Sequence, residues 1–300
     1  MATINFDDKV FSKDILNQVI KRLAPLKAFA RDFSMDAKNV GDSVVVPLIG
    51  AATATTFSQT DNSGNPYEQS GGTVSSITVS LNENHIVPVD ITDLQALNQS
   101  PARAEVFAVQ AGSALFNRVF GRITSLVTSV NFGAIVTTLA AASWTLTTIR
   151  ALKLVLEQRD ANVDRRSLFI PVEIEDVALL GNTAFNAALN YGSAIAIQEG
   201  RVPKALGFDV YALNQIPLNG ISLTAWAQTP DAIAVAMRLK KPQDLSMLAA
   251  YEELSDPGTG FTFTYRRHYN PGSGKHHINL EMLFGMTQAI TLNLALATKP

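Results

Sequence analysis

Apolar positions in the first forty residues recur at helical spacing: Val10, Ile15, Val19, Ile20 and Leu23 share one face before Pro25 interrupts the turn. The stripe is narrow and the segment long, which predicts an N-terminal arm over residues 1–40 that lies on a surface other than its own. Gly41-Asp42 then opens the β-branched run Ser43-Val44-Val45-Val46-Pro47-Leu48, which reads as a strand. From Gly50 to Gly72 the chain is mostly Ala, Thr, Ser, Asn and Gly, and Phe57 and Tyr67 are its only large apolar side chains. That stretch cannot form a core of its own. Alternation resumes at Val74, Ser76, Ile77, Val79 and Leu81, so the pattern predicts a long excursion between two strands.

Ser100-Pro101 carries a helix-start signature, with a capping hydroxyl followed by proline in the first turn. The pattern predicts a helix from there to about Val130, with Val109, Phe116, Val119, Phe120, Ile123, Val127 and Val130 on one stripe and Arg103, Arg118 and Arg122 on the other side. Ordinary globular helices average ~11 residues, so this one reads as a spine on which a sheet packs. Thr147 to Gln158 predicts a second helix through Ile149, Leu152, Val155 and Leu156, followed by a strand at Ser167-Leu168-Phe169-Ile170. Strands at Phe208–Leu213 and Ile221–Ala225 and a helix from Thr229-Pro230 extend the alternation, which predicts an α/β layer. Phe261 to Arg267 and Ile278 to Phe284 read as two strands around the turn Asn270-Pro271-Gly272-Ser273-Gly274, and a last strand lies within Ala289 to Ala297. The chain has no internal repeat.

Composition narrows the function classes. With 47% apolar and 17% charged residues the 300-residue chain can bury a large core. Twenty-four basic against 26 acidic residues give a net charge of −2, which removes the strong positive field of a dedicated nucleic-acid binder. The absence of cysteine excludes disulfides, thiolate metal sites and cysteine nucleophiles. The start Met1-Ala2-Thr3-Ile4-Asn5-Phe6 lacks the basic and apolar regions of a secretion signal. No charge falls between Arg122 and Arg150, yet Thr, Ser and Asn recur throughout that stretch and Gly133 breaks it, so no membrane span is expected.

Candidate chemistry is sparse. Gly272-Ser273-Gly274-Lys275 has the Gly-Lys of a phosphate loop, but Tyr269 and His276 stand where glycine and a hydroxyl residue belong, so a hairpin turn is expected. Asp61-Asn62-Ser63-Gly64-Asn65 offers alternate oxygens, but Pro66 replaces the glycine a calcium loop needs. His276 and His277 point to opposite faces of a strand and cannot chelate together, although His268 could face His276 across the hairpin. Hydrolase elbows and His-Glu-x-x-His helices are missing. Glu173, Glu175 and Asp176 fit a helix start, where negative charge complements the dipole. The pairs Arg165-Arg166, Lys240-Lys241 and Arg266-Arg267 read as solvated faces or as contacts for phosphate or a partner's carboxylates. These residues predict no enzyme, no cofactor and no metal site.

Several segments in this order resemble one family. They are Gly41-Asp42-Ser43-Val44-Val45-Val46-Pro47, Thr147-Thr148-Ile149-Arg150-Ala151-Leu152, Arg166-Ser167-Leu168-Phe169-Ile170-Pro171, the run from Gly207 to Pro217, Thr229-Pro230-Asp231-Ala232-Ile233-Ala234-Val235-Ala236, and the closing region Ile278 to Leu296 with Phe284-Gly285. From about Gly41 to Ala297 the chain resembles the major capsid proteins of tailed bacteriophages, which have the Hong Kong 97-type fold. The resemblance implies an α+β fold with an arm (1–40), an extended loop with flanking strands (41–90), a peripheral domain with a long spine helix (91–130 and 261–300) and an axial domain (131–260). It implies self-assembly into pentamers and hexamers of an icosahedral head around double-stranded DNA, with weak nonspecific DNA contact, in a virion assembled in the host bacterial cytoplasm. A separate scaffolding protein, a portal and decoration proteins are its implied partners, and neither an N-terminal scaffolding segment nor a long removed prosegment is expected. Val10, Ile15, Val19 and Leu23 on the arm and Phe57 and Tyr67 on the loop are the expected subunit contacts. Some relatives cross-link a loop lysine to a neighbour's asparagine, but Gly50 to Leu81 contains no lysine. The competing readings are a bacterial nanocompartment shell of the same fold and an α/β enzyme without a recognisable motif.

Overall fold

A computed structural model describes residues 24–32, 43–49, 74–92, 101–159, 165–181, 202–214, 216–242, 244–255 and 262–300. After a 3-10 turn at Ala24–Ala28, the strands are β1 (Ala30–Asp32), β2 (Ser43–Ile49), β3 (Val74–Ser80), β4 (Glu83–Thr92), β5 (Thr137–Thr138), β6 (Arg166–Pro171), β7 (Lys204–Ala205), β8 (Phe208–Leu213), β9 (Leu223–Gln228), β10 (Ile233–Arg238), β11 (Ala250–Ser255), β12 (Thr262–Asn270), β13 (Lys275–Gln288) and β14 (Leu294–Thr298). The helices are α1 (Pro101–Leu126), α2 (Ser129–Phe132), α3 (Leu146–Gln158) and α4 (Val172–Ile174), the last continuing into a π turn over Glu175–Leu180.

Strand β13 organises one six-stranded sheet. Its fourteen residues are long enough to pair with β4 along one edge and with β12 and then β10 along the other, all antiparallel; β11 and β1 complete the order β1-β10-β13-β12-β11. Alternation divides its side chains. Ile278, Leu280, Met282 and Phe284 enter the main core, whereas Glu281, Leu283 and Gly285 occupy the other face. The second sheet has the order β5-β14-β9-β6-β8-β7 and mixes parallel pairs (β6 with β8, β5 with β14) with antiparallel ones. Helix α3 covers it through Ile149, Leu152 and Leu156, so the expected α/β layer is present in mixed form. The chain changes between these two sheets three times: from β4 to β5, from β9 back to β10, and from β13 to β14.

Helix α1 lays Leu115, Val119, Phe120 and Ile123 against the core at spacings of three and four. It ends at Leu126, four residues before the predicted end. Thr128 adopts extended angles and its hydroxyl accepts the Asn131 amide, starting the separate turn α2, so Val130 leaves the stripe and is 91% exposed. The freed carbonyls at the helix end are met by side chains: Asn131 Nδ2 donates to the Leu126 oxygen (2.8 Å), and the distant Asn219 donates to those of Thr124 (3.0 Å) and Val127 (2.7 Å).

The helix predicted from Thr229-Pro230 is a single 3-10 turn, Pro230–Ala232, followed by strand β10. Alternation is present there as large and small residues rather than apolar and polar ones. Ile233, Val235 and Met237 enter the main core, and Ala234 and Ala236 face a smaller cluster on the opposite side. The strand predicted at Ile221–Ala225 runs Leu223–Gln228.

Both sheets meet in the main core, where Phe169 is the common neighbour. Its ring stacks on Trp226 (centroids 4.6 Å apart, 11° between planes) and on Tyr211 (5.1 Å, 18°), with Phe29 at 5.6 Å and Phe120 at 6.1 Å. These rings come from the arm end, helix α1 and three strands of one sheet, so a single side chain joins elements far apart in the chain.

Candidate functional site: loop stem and arm end

Strands β2 and β3 pair over seven residues, from Ser43↔Ser80 to Ile49↔Val74, and form the stem on which the predicted excursion stands. Their hydrophobic row determines where the stem sits. Val44, Val79 and Leu81 pack with Ala234, Ala236 and Leu283 on the face of the first sheet turned away from α1. Close approach is possible because position 285 has no side chain: a Cβ built on Gly285 would collide with the Ser80 carbonyl. The other side of the stem is open, with Val45 56% exposed and Ser76 and Thr78 in solvent. Gly50 to Gly72, including Phe57 and Tyr67, lies outside the described residues.

The arm residues Val10, Ile15, Val19 and Leu23 also lie outside the described residues, but the arm's final part is built into this chain. Leu26, Ala28 and Phe29 are buried at 1–3% exposure, and β1 pairs in parallel with β10, Ala30 against Ala234 and Asp32 against Ala236. Gln228 fixes the turn before it by donating to the Ala28 carbonyl (3.2 Å) while accepting from the Trp226 indole (3.0 Å). The expectation that all of 1–40 lies on another surface is therefore corrected for 24–32. An amphipathic stripe gives no sign of a strand added at the edge of one's own sheet.

Charged and histidine groups are tied into the fold. The turn after β12 is a hairpin in which Asn270 Oδ1 accepts the Gly272 amide and Gly274 takes φ 60°, so Lys275 opens β13 and stands at no helix N-terminus. His268 faces His277 and not His276, with rings 4.9 Å apart, and His276 pairs with Tyr269; a register one residue from the expected one exchanges the two faces. His277 Nδ1 lies 2.6 Å from Asp90. Among the described residues no His, Asp or Glu cluster could hold a metal ion, and no described helix is long and apolar enough to cross a membrane. The basic pairs divide rather than forming solvated faces. Arg166 is buried and donates to Glu157 (2.9 Å), and Arg266 (3.1 Å) and Lys240 (3.8 Å) meet the buried Glu281, while Lys241 meets Glu253 at the surface (3.4 Å). Glu175 is buried too, its Oε1 accepting the Val202 amide at 2.8 Å, so it fastens a loop instead of only complementing a dipole.

Ionisable groups perturbed by their surroundings are dispersed. The hydrogen bond from Arg166 holds Glu157 below the usual carboxylate range, the Ser246 hydroxyl and amide do the same for Asp244, and burial, with Glu253 next, pushes Tyr251 up to about 12. A cleft of about 500 Å³ lined by Lys27, Phe29, Arg165, Asp209, Tyr211 and Asp231 contains none of these three groups.

No protein-family model matches the sequence, and no curated protein does. Solved structures do match. The capsid structure of the cyanophage P-SCSP1u aligns over 91% of this chain and 86% of its own with a TM-score of 0.58 at 14% identity. A chain from Mycobacterium phage Che8 aligns over 92% and 90% (TM-score 0.54, 14% identity), and the mature capsid of bacteriophage PhiM1 over 91% and 86% (TM-score 0.54, 10% identity). At such identities it is the path of the backbone that is shared, and the chain has the α+β, Hong Kong 97-type fold of tailed-phage capsid proteins.

Proposed function

We propose that this chain is the major capsid protein of a tailed bacteriophage, a structural, non-catalytic subunit that assembles into the pentamers and hexamers of an icosahedral head around double-stranded DNA. The observation that carries the reading is the fold likeness to phage capsids over more than nine-tenths of the chain. The seated stem supports it: an exposed ladder leading into a core-poor stretch has little reason to exist on an isolated subunit, because its ordering must be compensated by contacts elsewhere. Val10, Ile15, Val19 and Leu23, with Phe57 and Tyr67, supply those contacts in this reading. In this reading the peripheral domain takes residues 91–130 and 261–300, with α1, β12 and β13, and the axial domain residues 131–260. A separate scaffolding protein, a portal and decoration proteins complete the head, DNA contact is weak and nonspecific, and assembly takes place in the host cytoplasm. Negative-stain microscopy of the protein, co-expressed with the genes beside its own, should show rings or shells. Soluble monomers alone, folded by circular dichroism, would sink the proposal.

A further inference from the structure

Asn219-Gly220 is the one Asn-Gly dipeptide in the sequence. In such a pair no Cβ hinders the glycine nitrogen from attacking the asparagine side chain. The reaction forms a bond from Gly220 N to Asn219 Cγ, the amide proton is lost, and Nδ2 departs as ammonia; water then opens the five-membered imide at either carbonyl to leave aspartate or isoaspartate. Water is the only co-reactant, and Gly220 is exposed to it.

In the folded chain the geometry opposes the attack. The leaving nitrogen, Nδ2, spends its protons on the Thr124 and Val127 carbonyls at 3.0 and 2.7 Å, and Oδ1 accepts the Ile221 amide at 3.3 Å. Ammonia leaves only once Nδ2 has given up both carbonyls, so those two bonds, and with them the helix end, have to open first. The product differs in the one property that matters for closing. A carboxylate has no N–H to donate, and it would face two carbonyl oxygens at the negative end of the α1 dipole.

We infer that Asn219-Gly220 is a self-modification site gated by the end of the spine helix: it converts when that end opens, and conversion prevents reclosure. The inference stands apart from the capsid reading, since every group in it belongs to one chain.

The test compares the intact native chain with the same chain in urea, both held at mildly alkaline pH, with conversion at residue 219 followed by peptide mass spectrometry and isoaspartyl labelling. Conversion should be slower in the native chain by roughly tenfold or more, the factor a modest local opening equilibrium imposes. Equal rates would overturn the gating. In parallel, Asn219→Asp in the full chain should speed amide hydrogen exchange over residues 124–132 by a similar factor and leave β13 unchanged. Wild-type exchange at the helix end would overturn the claim that conversion blocks reclosure. If the variant does not fold, the native-against-urea comparison on the unaltered chain still decides the gating.

Discussion

Gly285 is a residue whose importance lies in what it lacks. Replacing it with alanine would push a methyl into the Ser80 carbonyl, a backbone group that cannot swing aside, so the stem must lift or β13 must bend. Gly285→Ala should cost about 1–3 kcal/mol in chemical denaturation, and hydrogen exchange in β2 and β3 should rise more than in β9. Phe169→Ala removes the ring shared by Phe29, Phe120, Tyr211 and Trp226 and should cost about 3–5 kcal/mol, read from the denaturation midpoint. Two ionisable groups shape the pH dependence. Glu157 sits below its ordinary value when folded, so its contribution is present above the unfolded pKa near 4.5 and is lost as pH falls through the lower folded value; Glu157→Gln should flatten the acid limb of a stability profile below that pH. Tyr251 sits above its ordinary value, so its contribution is full below about 10 and disappears as pH rises towards about 12; Tyr251→Phe should flatten that alkaline fall.

Elements with a polarity contrast were legible in the sequence, and those without one were not. Strand β3 and the β12–β13 hairpin follow the alternation of apolar and polar residues, β2 follows a β-branched run and α3 helical spacing, and turn chemistry at Asn270 and Gly274 marks where the hairpin reverses. Strand β10 was hidden because both its faces are buried, which leaves Ala against Ile and Val as the only contrast. The end of α1 was misplaced because Thr128 can cap a new turn as readily as it continues the old one, a competition between side chain and backbone that apolar spacing does not register. The arm's attachment through β1 was missed since three residues, Ala30–Asp32, carry too short a pattern. That attachment divides the arm in a way truncation can detect. Removing Met1 to Ala24 should leave cooperative thermal unfolding intact and block shells. Removing the chain through Asp32 also takes away Leu26 and Phe29, each worth about 1.5–3 kcal/mol of burial, and should abolish that cooperativity.

At the scale of the whole molecule, the proposed shell would have to hold together without a cross-link made through a lysine of its loop. Gly50 to Leu81 contains no lysine and the sequence contains no cysteine, so neither an isopeptide made through a loop amine nor a disulfide is available. Purified shells boiled in denaturing detergent should run as one band at monomer mass, and a ladder surviving reduction would locate the bond on a lysine elsewhere. In that proposed shell, load between subunits would travel through packed contacts, and β10 is the strand on which arm end and loop stem meet. One edge of that strand carries the arm end, through β1, and one of its faces carries the root of the loop, through Ala234 and Ala236. Arm end and loop root thus share one strand like the pin of a common hinge, so in the proposed shell a pull on the arm would reach the base of the loop through β10, and a neighbour that grips one limb would stiffen the other.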